Sequence, residues 1–385
     1  MKIVIAPDSF KGSLSALEVA KSIQKGILNV DETIETVIVP MADGGEGTVQ
    51  SLIDASGGKI VDLKVHDPLF REINSFYGIM GDGVTAVIEM AAASGLPLLN
   101  PEERNPLLTT TYGTGELIKD ALNRGCKNFI IGLGGSATND GGCGMAQALG
   151  VKFLDENGNE LDMSGDQLSN IWSIDLSGID MRIKNASFLA ACDVDNPLCG
   201  AKGASAVYGP QKGASEKDVI TLDNGLNHFA QIVKQQLKLD IKDVPGSGAA
   251  GGLGAGVLIF LNARLERGIT IVTRTTQLAE KMDGADLVIT GEGKIDFQTA
   301  FGKTPFGVAQ IAKTKNIPVI VLAGSLGEGY QSLYEKGFDG IFSIIDKPMS
   351  LQEAIDQAAK LLENAAENVV RLWIKKNLQN KKLLN

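Results

Sequence analysis

The side chains with which this 385-residue chain could do chemistry fall in five short segments, four of them carrying glycine. They are Asp8-Ser9-Phe10-Lys11-Gly12-Ser13, Asp43-Gly44-Gly45-Glu46-Gly47-Thr48, Gly134-Gly135-Ser136-Ala137-Thr138-Asn139-Asp140-Gly141-Gly142, Asp193-Val194-Asp195-Asn196-Pro197 and Gly291-Glu292-Gly293-Lys294-Ile295-Asp296. Each reads as a loop leaving a β-type run and brings together acids, lysine or small hydroxyls. Glycine lets backbone approach a ligand closely and turn at positive φ. Strand C-termini that feed helix N-termini are where open α/β sheets bind anions. One such loop means little; five point to a phosphate-handling enzyme.

Phosphoryl transfer needs cations or N–H donors around the moving group, acids to hold Mg²⁺, and a carboxylate to take the acceptor's proton. By type, Lys11 and Lys294 are the cations, and Asp8, Asp193, Asp195, Glu292 and Asp296 the acids. Taken singly, each reads as a helix cap or a solvated charge, so the argument rests on their coincidence. The segment 132–144 holds six glycines and fits the G-x-G-x-x-A dinucleotide fingerprint, but no ribose-binding acid follows at the end of a second strand. Ser136, Thr138 and Asn139 instead offer hydroxyl and amide groups beside backbone donors, which suits a phosphate or small carboxylate. The glycines of 245–256 are read equally well as ligand contacts or as close packing. A Walker A motif is absent: Gly302-Lys303-Thr304 supplies its end, but Phe297 stands where its first glycine belongs. Thr304-Pro305 reads as an N-cap followed by proline at the first helical position.

Composition sets the frame. Glycine, at 46 residues, is roughly 12 per cent against a usual value of about 7, and it is clustered, as ligand loops require. A hydrophobic content of 44% is ordinary for a globular protein. The net charge of −10 without a basic stripe argues against nucleic acid or an anionic membrane as partner. Four irregularly spaced cysteines and two distant histidines fit neither a disulfide scaffold nor a zinc site. The opening apolar run is far shorter than a signal-peptide core, and no apolar stretch approaches the roughly 20 residues of a membrane span. A cytoplasmic protein is expected.

The elements that must position these loops alternate. Strands at 2–6 and 33–39 and helices at 15–29 and 46–55 predict a parallel sheet, the first helix opened by a Ser15/Glu18 capping box. Consecutive strand-like runs between 59 and 90 predict a mixed or antiparallel sheet. Helices at 115–124 and 140–149 flank a strand at 129–132, another strand runs 188–191, and βα alternation returns from 286 to a long terminal helix starting at 351. The simplest account is two α/β domains: a parallel-sheet domain over 1–72 and 268–385, interrupted by an inserted mixed α/β domain over 73–267.

Together these segments resemble the glycerate kinase family of the bacterial, sugar-acid-degrading type. The matching stretches run nearly end to end: 6–15, 40–48, 132–144, 191–198, Tyr208-Gly209-Pro210-Gln211-Lys212-Gly213-Ala214 and 290–296, with no family motif broken. The resemblance implies ATP-dependent phosphorylation of D-glycerate, at the 2-hydroxyl, to give 2-phosphoglycerate. It further implies a Rossmann-like domain and its insert, with the active site in the cleft between them, and ATP and Mg²⁺ as cofactors. By residue type and loop position, Asp8, Lys11 and Asp193 are expected to be catalytic, with Asp8 or Asp193 accepting the hydroxyl proton. Ser9, Asp43, Glu46 and Asn196 are expected on the substrate, and Gly134, Gly135, Ser136, Thr138, Asn139, Glu292 and Lys294 on the nucleotide. Asp195 and Asp296 are expected to hold the metal.

Three other readings compete: a glycerate 3-kinase, a dinucleotide-dependent oxidoreductase using 132–137, and a sugar-acid-binding regulatory protein. The missing ribose acid and the scarcity of histidine weigh against the oxidoreductase, and the lack of a DNA-binding segment or basic face against the regulator.

Overall fold

The computed structural model describes the backbone of residues 1–383 and the side chains of residues 1–375. The chain is α/β and divides into two compact units, Met1–Asp43 with Ile269–Asn385, and Gly44–Gly268.

The first unit is built on a five-stranded sheet whose pairings are all parallel. Lys2–Ile5 and Leu287–Ile295 lie side by side near its middle, with Glu35–Ile38 outside the former, and Val319–Leu326 then Gly340–Ser343 outside the latter. The chain therefore winds outward in opposite directions from Lys2–Ile5 and Leu287–Ile295. The C-terminal end of such a pair is the switch point where open α/β sheets bind ligands. The helix Ala16–Val30 opens with the Ser15/Glu18 capping box and buries Val19, Ala20, Ile23 and Ile27 on one face, against strand residues Ile3, Ile5, Leu287 and Ile289. Each of these valine, leucine and isoleucine side chains contributes roughly 1.5–3 kcal/mol on burial. The terminal helical region is broken in two, Leu351–Asp356 and Ala358–Leu383, rather than continuous from 351.

The second unit carries a six-stranded sheet in the order Arg264–Glu266, Ser187–Ala191, Asn128–Gly132, Thr85–Glu89, Glu72–Ile79, Lys59–His66. The first four are parallel and the last two antiparallel, the mixed sheet expected for 59–90. Residues 44–72 belong here and not with the first domain: Lys59–His66 pairs along its whole length with Glu72–Ile79, so a boundary after residue 72 would detach one strand from its hydrogen-bonded partner. A small antiparallel pair, Lys152–Leu154 with Ser173–Asp175, lies outside the main sheet.

Candidate active site

In the first unit the switch point brings two acids onto adjacent chain segments. Past Lys2–Ile5 the backbone keeps pairing with its neighbour, Ala6 N–H donating to Ile289 O and Asp8 N–H to Gly291 O. That places Asp8 one strand away from Glu292, and both side chains are buried. Asp8 Oδ1 accepts from Ser9 N (2.6 Å) and Ser9 Oγ (3.3 Å), and Oδ2 from Thr304 Oγ1 (2.5 Å). Burial and then the nearby Asp43 charge push the Asp8 carboxyl from 3.8 to about 6, against the opposing pull of Thr304, Ser9 and Lys11. Glu292 Oε1 accepts from Thr299 Oγ1 (2.9 Å) and Lys303 Nζ (3.4 Å). Burial, with a smaller contribution from Asp8, still lifts it from 4.5 to about 7. Two carboxyls with values near neutrality at a sheet's ligand-binding edge are the arrangement expected of proton-transfer chemistry.

The structure revises the local reading in two places. The 291–296 segment is not a loop: Leu287–Ile295 is one strand that carries Glu292 and Lys294 in register with Ala323 and Ser325. Glycine is needed at 291 because a Cβ there would lie 2.2 Å from the Leu322 carbonyl of the neighbouring strand. Nor is Thr304 the helix cap. Lys303 occupies the N-cap position of Thr304–Thr314 and Pro305 lies within its first turn, which leaves the Thr304 hydroxyl free to serve Asp8. Thr299, Lys303 and Thr304 were therefore missed as site residues. The Gly302-Lys303-Thr304 triplet was their signal, set aside because it lacked the rest of a phosphate loop.

Of the other residues expected here, Ser9 bonds Asp8, while Lys11 is exposed and Asp43 half-buried, both acting on Asp8 through their charge. Lys294 pairs with Asp296 at 3.2 Å. Asp296 also caps the turn Phe297–Phe301 by accepting from Gln298 N at 3.0 Å.

In the second unit, the loops that follow the parallel strands hold the remaining candidates. Gly134 and Gly135 are exposed, while Ser136, Thr138 and Asn139 are buried behind them. The amides of Gly134, Gly135 and Ser136 make no hydrogen bond to another described residue. Ser136 Oγ lies 3.0 Å from Thr138 Oγ1 and accepts from Thr138 N at 3.0 Å. Asn139 Nδ2 donates to Ser205 Oγ at 3.1 Å. Lys212, absent from the expected site, is buried and donates to Thr138 O (2.6 Å) and Ser136 Oγ (3.3 Å). Burial pulls its ammonium down from 10.5 to about 7. The only sequence signal for it was its place in the 208–214 motif. The 245–256 glycines turn out to be packing: a Cβ at Gly248 would meet Pro197 O at 2.1 Å, and one at Gly251 would meet Thr138 O at 1.9 Å. They let this segment lie directly against the backbone of the 134–142 and 193–197 segments.

Asp193 Oδ1 accepts from Gly268 N at 3.0 Å, Arg267 donates to the Asp193 carbonyl, and Arg267 pairs with Asp195 at 2.7 Å. Asn196 spends its amide on the loop itself, donating to Lys202 O (2.8 Å) and accepting from Tyr208 OH (2.7 Å). The helix Thr48–Ser56 meets an internal anion at its N-terminus: Glu89 accepts from Val49 N at 2.8 Å. The Glu89 carboxyl is nevertheless raised, by burial first and by the charge of Glu46. Among the described residues no group of three or more His, Cys, Asp or Glu side chains is arranged to hold a metal ion. Asp195 and Asp296 are each neutralised by a cation of their own unit.

A buried acid poised near pH 6 at a parallel-sheet switch point and, in the other unit, a glycine loop backed by a buried lysine are features of an α/β phosphotransferase. The comparisons make the class definite. The sequence profile of the glycerate kinase family matches residues 3–374. The chain is 52% identical to a glycerate kinase of Halalkalibacterium halodurans, covering 97% of this chain and 99% of that one. It is also 52% identical to the glycerate 2-kinase of Escherichia coli, covering 96% and 97%. The crystal structure of a Salmonella typhimurium LT2 protein described as glycerate kinase 2 superposes with a TM-score of 0.91 at 48% identity, covering 98% of this chain and 99% of that one. The chain belongs to the glycerate kinase family and is a kinase.

Proposed function

We propose that the chain transfers the γ-phosphoryl group of ATP to D-glycerate, forming 2-phosphoglycerate and ADP. The observation that carries the mechanism is the Asp8 carboxyl at about 6: at neutral pH it is mostly ionised yet basic enough to receive a proton, the match that general-base catalysis favours. Asp8 accepts the proton of the 2-hydroxyl as its oxygen bonds the γ-phosphorus, and the bond to the ADP oxygen breaks. Ser9 and Thr304 hold the carboxylate in place for this. Asp8 is preferred to Asp193, the other base considered, because burial and the neighbouring Asp43 charge raise its carboxyl to about 6. Lys11, exposed beside Asp8, is proposed to meet the anionic substrate, and Asp43, Glu46 and Asn196 are proposed as further substrate contacts. The 134–139 loop, with Glu292 and Lys294, receives the nucleotide.

For Mg²⁺ the donor chemistry fits Glu292 better than Asp195 or Asp296. Its raised carboxyl, close to Lys303 yet still short of compensating charge, is a hard oxygen donor of the kind that meets Mg²⁺ arriving on nucleotide phosphates. When bound, the ion supplies positive charge to the transferring phosphoryl group.

The four cysteines are all free and buried, which supports a reducing, cytoplasmic setting. No helix of the described residues is long and apolar enough to cross a membrane.

The test is a turnover assay with ATP, Mg²⁺ and D-glycerate read through enolase and pyruvate kinase, with phosphoglycerate mutase omitted and then added. Signal without mutase is the expected result. Signal only with mutase would make the enzyme a 3-kinase, and none in either arm would remove glycerate as substrate.

A further inference from the structure

Lys212 is a buried amine, its ammonium pulled down to about 7 by burial, that no carboxylate neutralises at contact. It is 2% exposed, and no carboxylate among the described residues lies within ion-pair distance of its Nζ. The acid whose charge it feels is Asp140, and that carboxylate is already committed: it accepts from Thr111 N (2.7 Å), Thr111 Oγ1 (2.7 Å), Gly142 N (3.1 Å) and Gly144 N (3.2 Å). Burying an ammonium costs several kcal/mol unless a charge answers it. Here the acid it feels already accepts four hydrogen bonds, and the ammonium's own acceptors are one carbonyl and one hydroxyl.

Those acceptors order the loop in front of it. Ser136 Oγ accepts from both Thr138 N and Lys212 Nζ, which occupies its two lone pairs. Its own hydrogen is then left to donate, with Thr138 Oγ1 at 3.0 Å and the Thr138 carbonyl at 3.4 Å as its acceptors. Lys212 thus makes the Ser136 hydroxyl a donor towards Thr138 and clamps the Thr138 carbonyl. The amides at 134–136, with Gly134 and Gly135 at the exposed tip, are left without protein acceptors. Free amides over a buried positive charge form a site for a compact oxyanion.

We propose that Lys212 is the positioning residue of this loop, holding 136–138 in shape and supplying the charge that attracts the oxyanion bound at 134–136. The inference rests on the reading that the loop binds an anion. The oxyanion could be a phosphate of ATP or the carboxylate of glycerate, and the experiment separates them.

Lys212→Met, Lys212→Gln and Gly134→Asp would be compared with wild type by titration calorimetry using ATP and D-glycerate separately, alongside KM for each and unfolding midpoints. A Cβ at Gly134 meets only Gly45 Cα, at 3.4 Å, so Gly134→Asp sets a negative charge on the tip without a clash. The expected result is that Lys212→Met and Gly134→Asp each weaken the same one of the two ligands tenfold or more and spare the other. Lys212→Gln, which keeps donors but no charge, should not recover it. Recovery by Lys212→Gln would reduce Lys212 to a structural hydrogen bond and overturn its charge role. Loss with Gly134→Asp but affinities within twofold in Lys212→Met would overturn the inference about Lys212 alone. Unchanged affinities in Gly134→Asp would remove the anion reading of the loop. If Lys212→Met fails to fold, Ser136→Ala, which removes one of its acceptors, should raise KM for that same ligand, and an unchanged KM would count against the proposal.

Discussion

Asp8→Asn should make this protein more stable and nearly inactive. The carboxyl of Asp8 stands at about 6 in the folded chain against an ordinary 3.8, a difference equivalent to about 3 kcal/mol. A raised value means that the folded state holds the proton more tightly than the unfolded one, so ionisation works against folding. The penalty is absent below 3.8, grows as pH rises towards 6, and is fully present above that. Asparagine removes it while keeping the contacts: its amide oxygen still accepts from Ser9 N, and the Thr304 hydroxyl turns to accept from the amide NH₂. At pH 7.5 the variant should gain roughly 2–3 kcal/mol, or on the order of 5 °C in the unfolding midpoint, with little gain at pH 4. Turnover should drop by about 10²- to 10⁴-fold, the usual worth of a positioned base. Denaturant unfolding at the two pH values and the coupled assay give both numbers on one preparation. Turnover within tenfold of wild type would refute the role as base. A stability loss equal at pH 4 and 7.5 would refute the electrostatic account.

The neighbouring groups give related tests. Thr304→Val removes a bond that holds the Asp8 value down, so the acid limb of kcat/KM should move to higher pH and activity at pH 6 should fall more than at pH 8. Glu292→Gln keeps the acceptor for Thr299 and abolishes a carboxyl raised to about 7. Its stability gain over wild type should therefore open between pH 4.5 and 7 and stay constant above, as chemical denaturation at several pH values would show. Gly251→Ala would force a residue at φ +67° and set a Cβ 1.9 Å from Thr138 O. A loss of roughly 2 kcal/mol or more is expected, measured as a lower unfolding midpoint, together with weaker binding of the oxyanion at 134–136.

What could be read in the sequence followed the range of the interactions involved. Alternating strands and helices, the Ser15/Glu18 cap and the antiparallel character of 59–90 are local patterns, and they appear as read. The domain boundary was misread because the pairing of Lys59–His66 with Glu72–Ile79 is decided by neighbours beyond the window in which its pattern is visible. Glu292 stands out by residue type, yet its raised carboxyl comes first from burial, with a smaller contribution from Asp8, 284 positions away in sequence and one strand away in space. No spacing rule reaches that far; only the winding order of the sheet does. The sequence shows the Gly302-Lys303-Thr304 triplet only as an incomplete phosphate loop, and Lys212 only as part of the 208–214 motif. A lysine has ordinary chemistry until burial strips its water away, and burial is a property of the assembled fold. The glycines of 245–256 show the converse: a composition that looks like a ligand loop can arise from backbone lying against backbone, and here that packing supports the 134–142 and 193–197 segments. In this fold, then, residue type marks where chemistry is available, and the strand order and burial decide which of those residues can perform it.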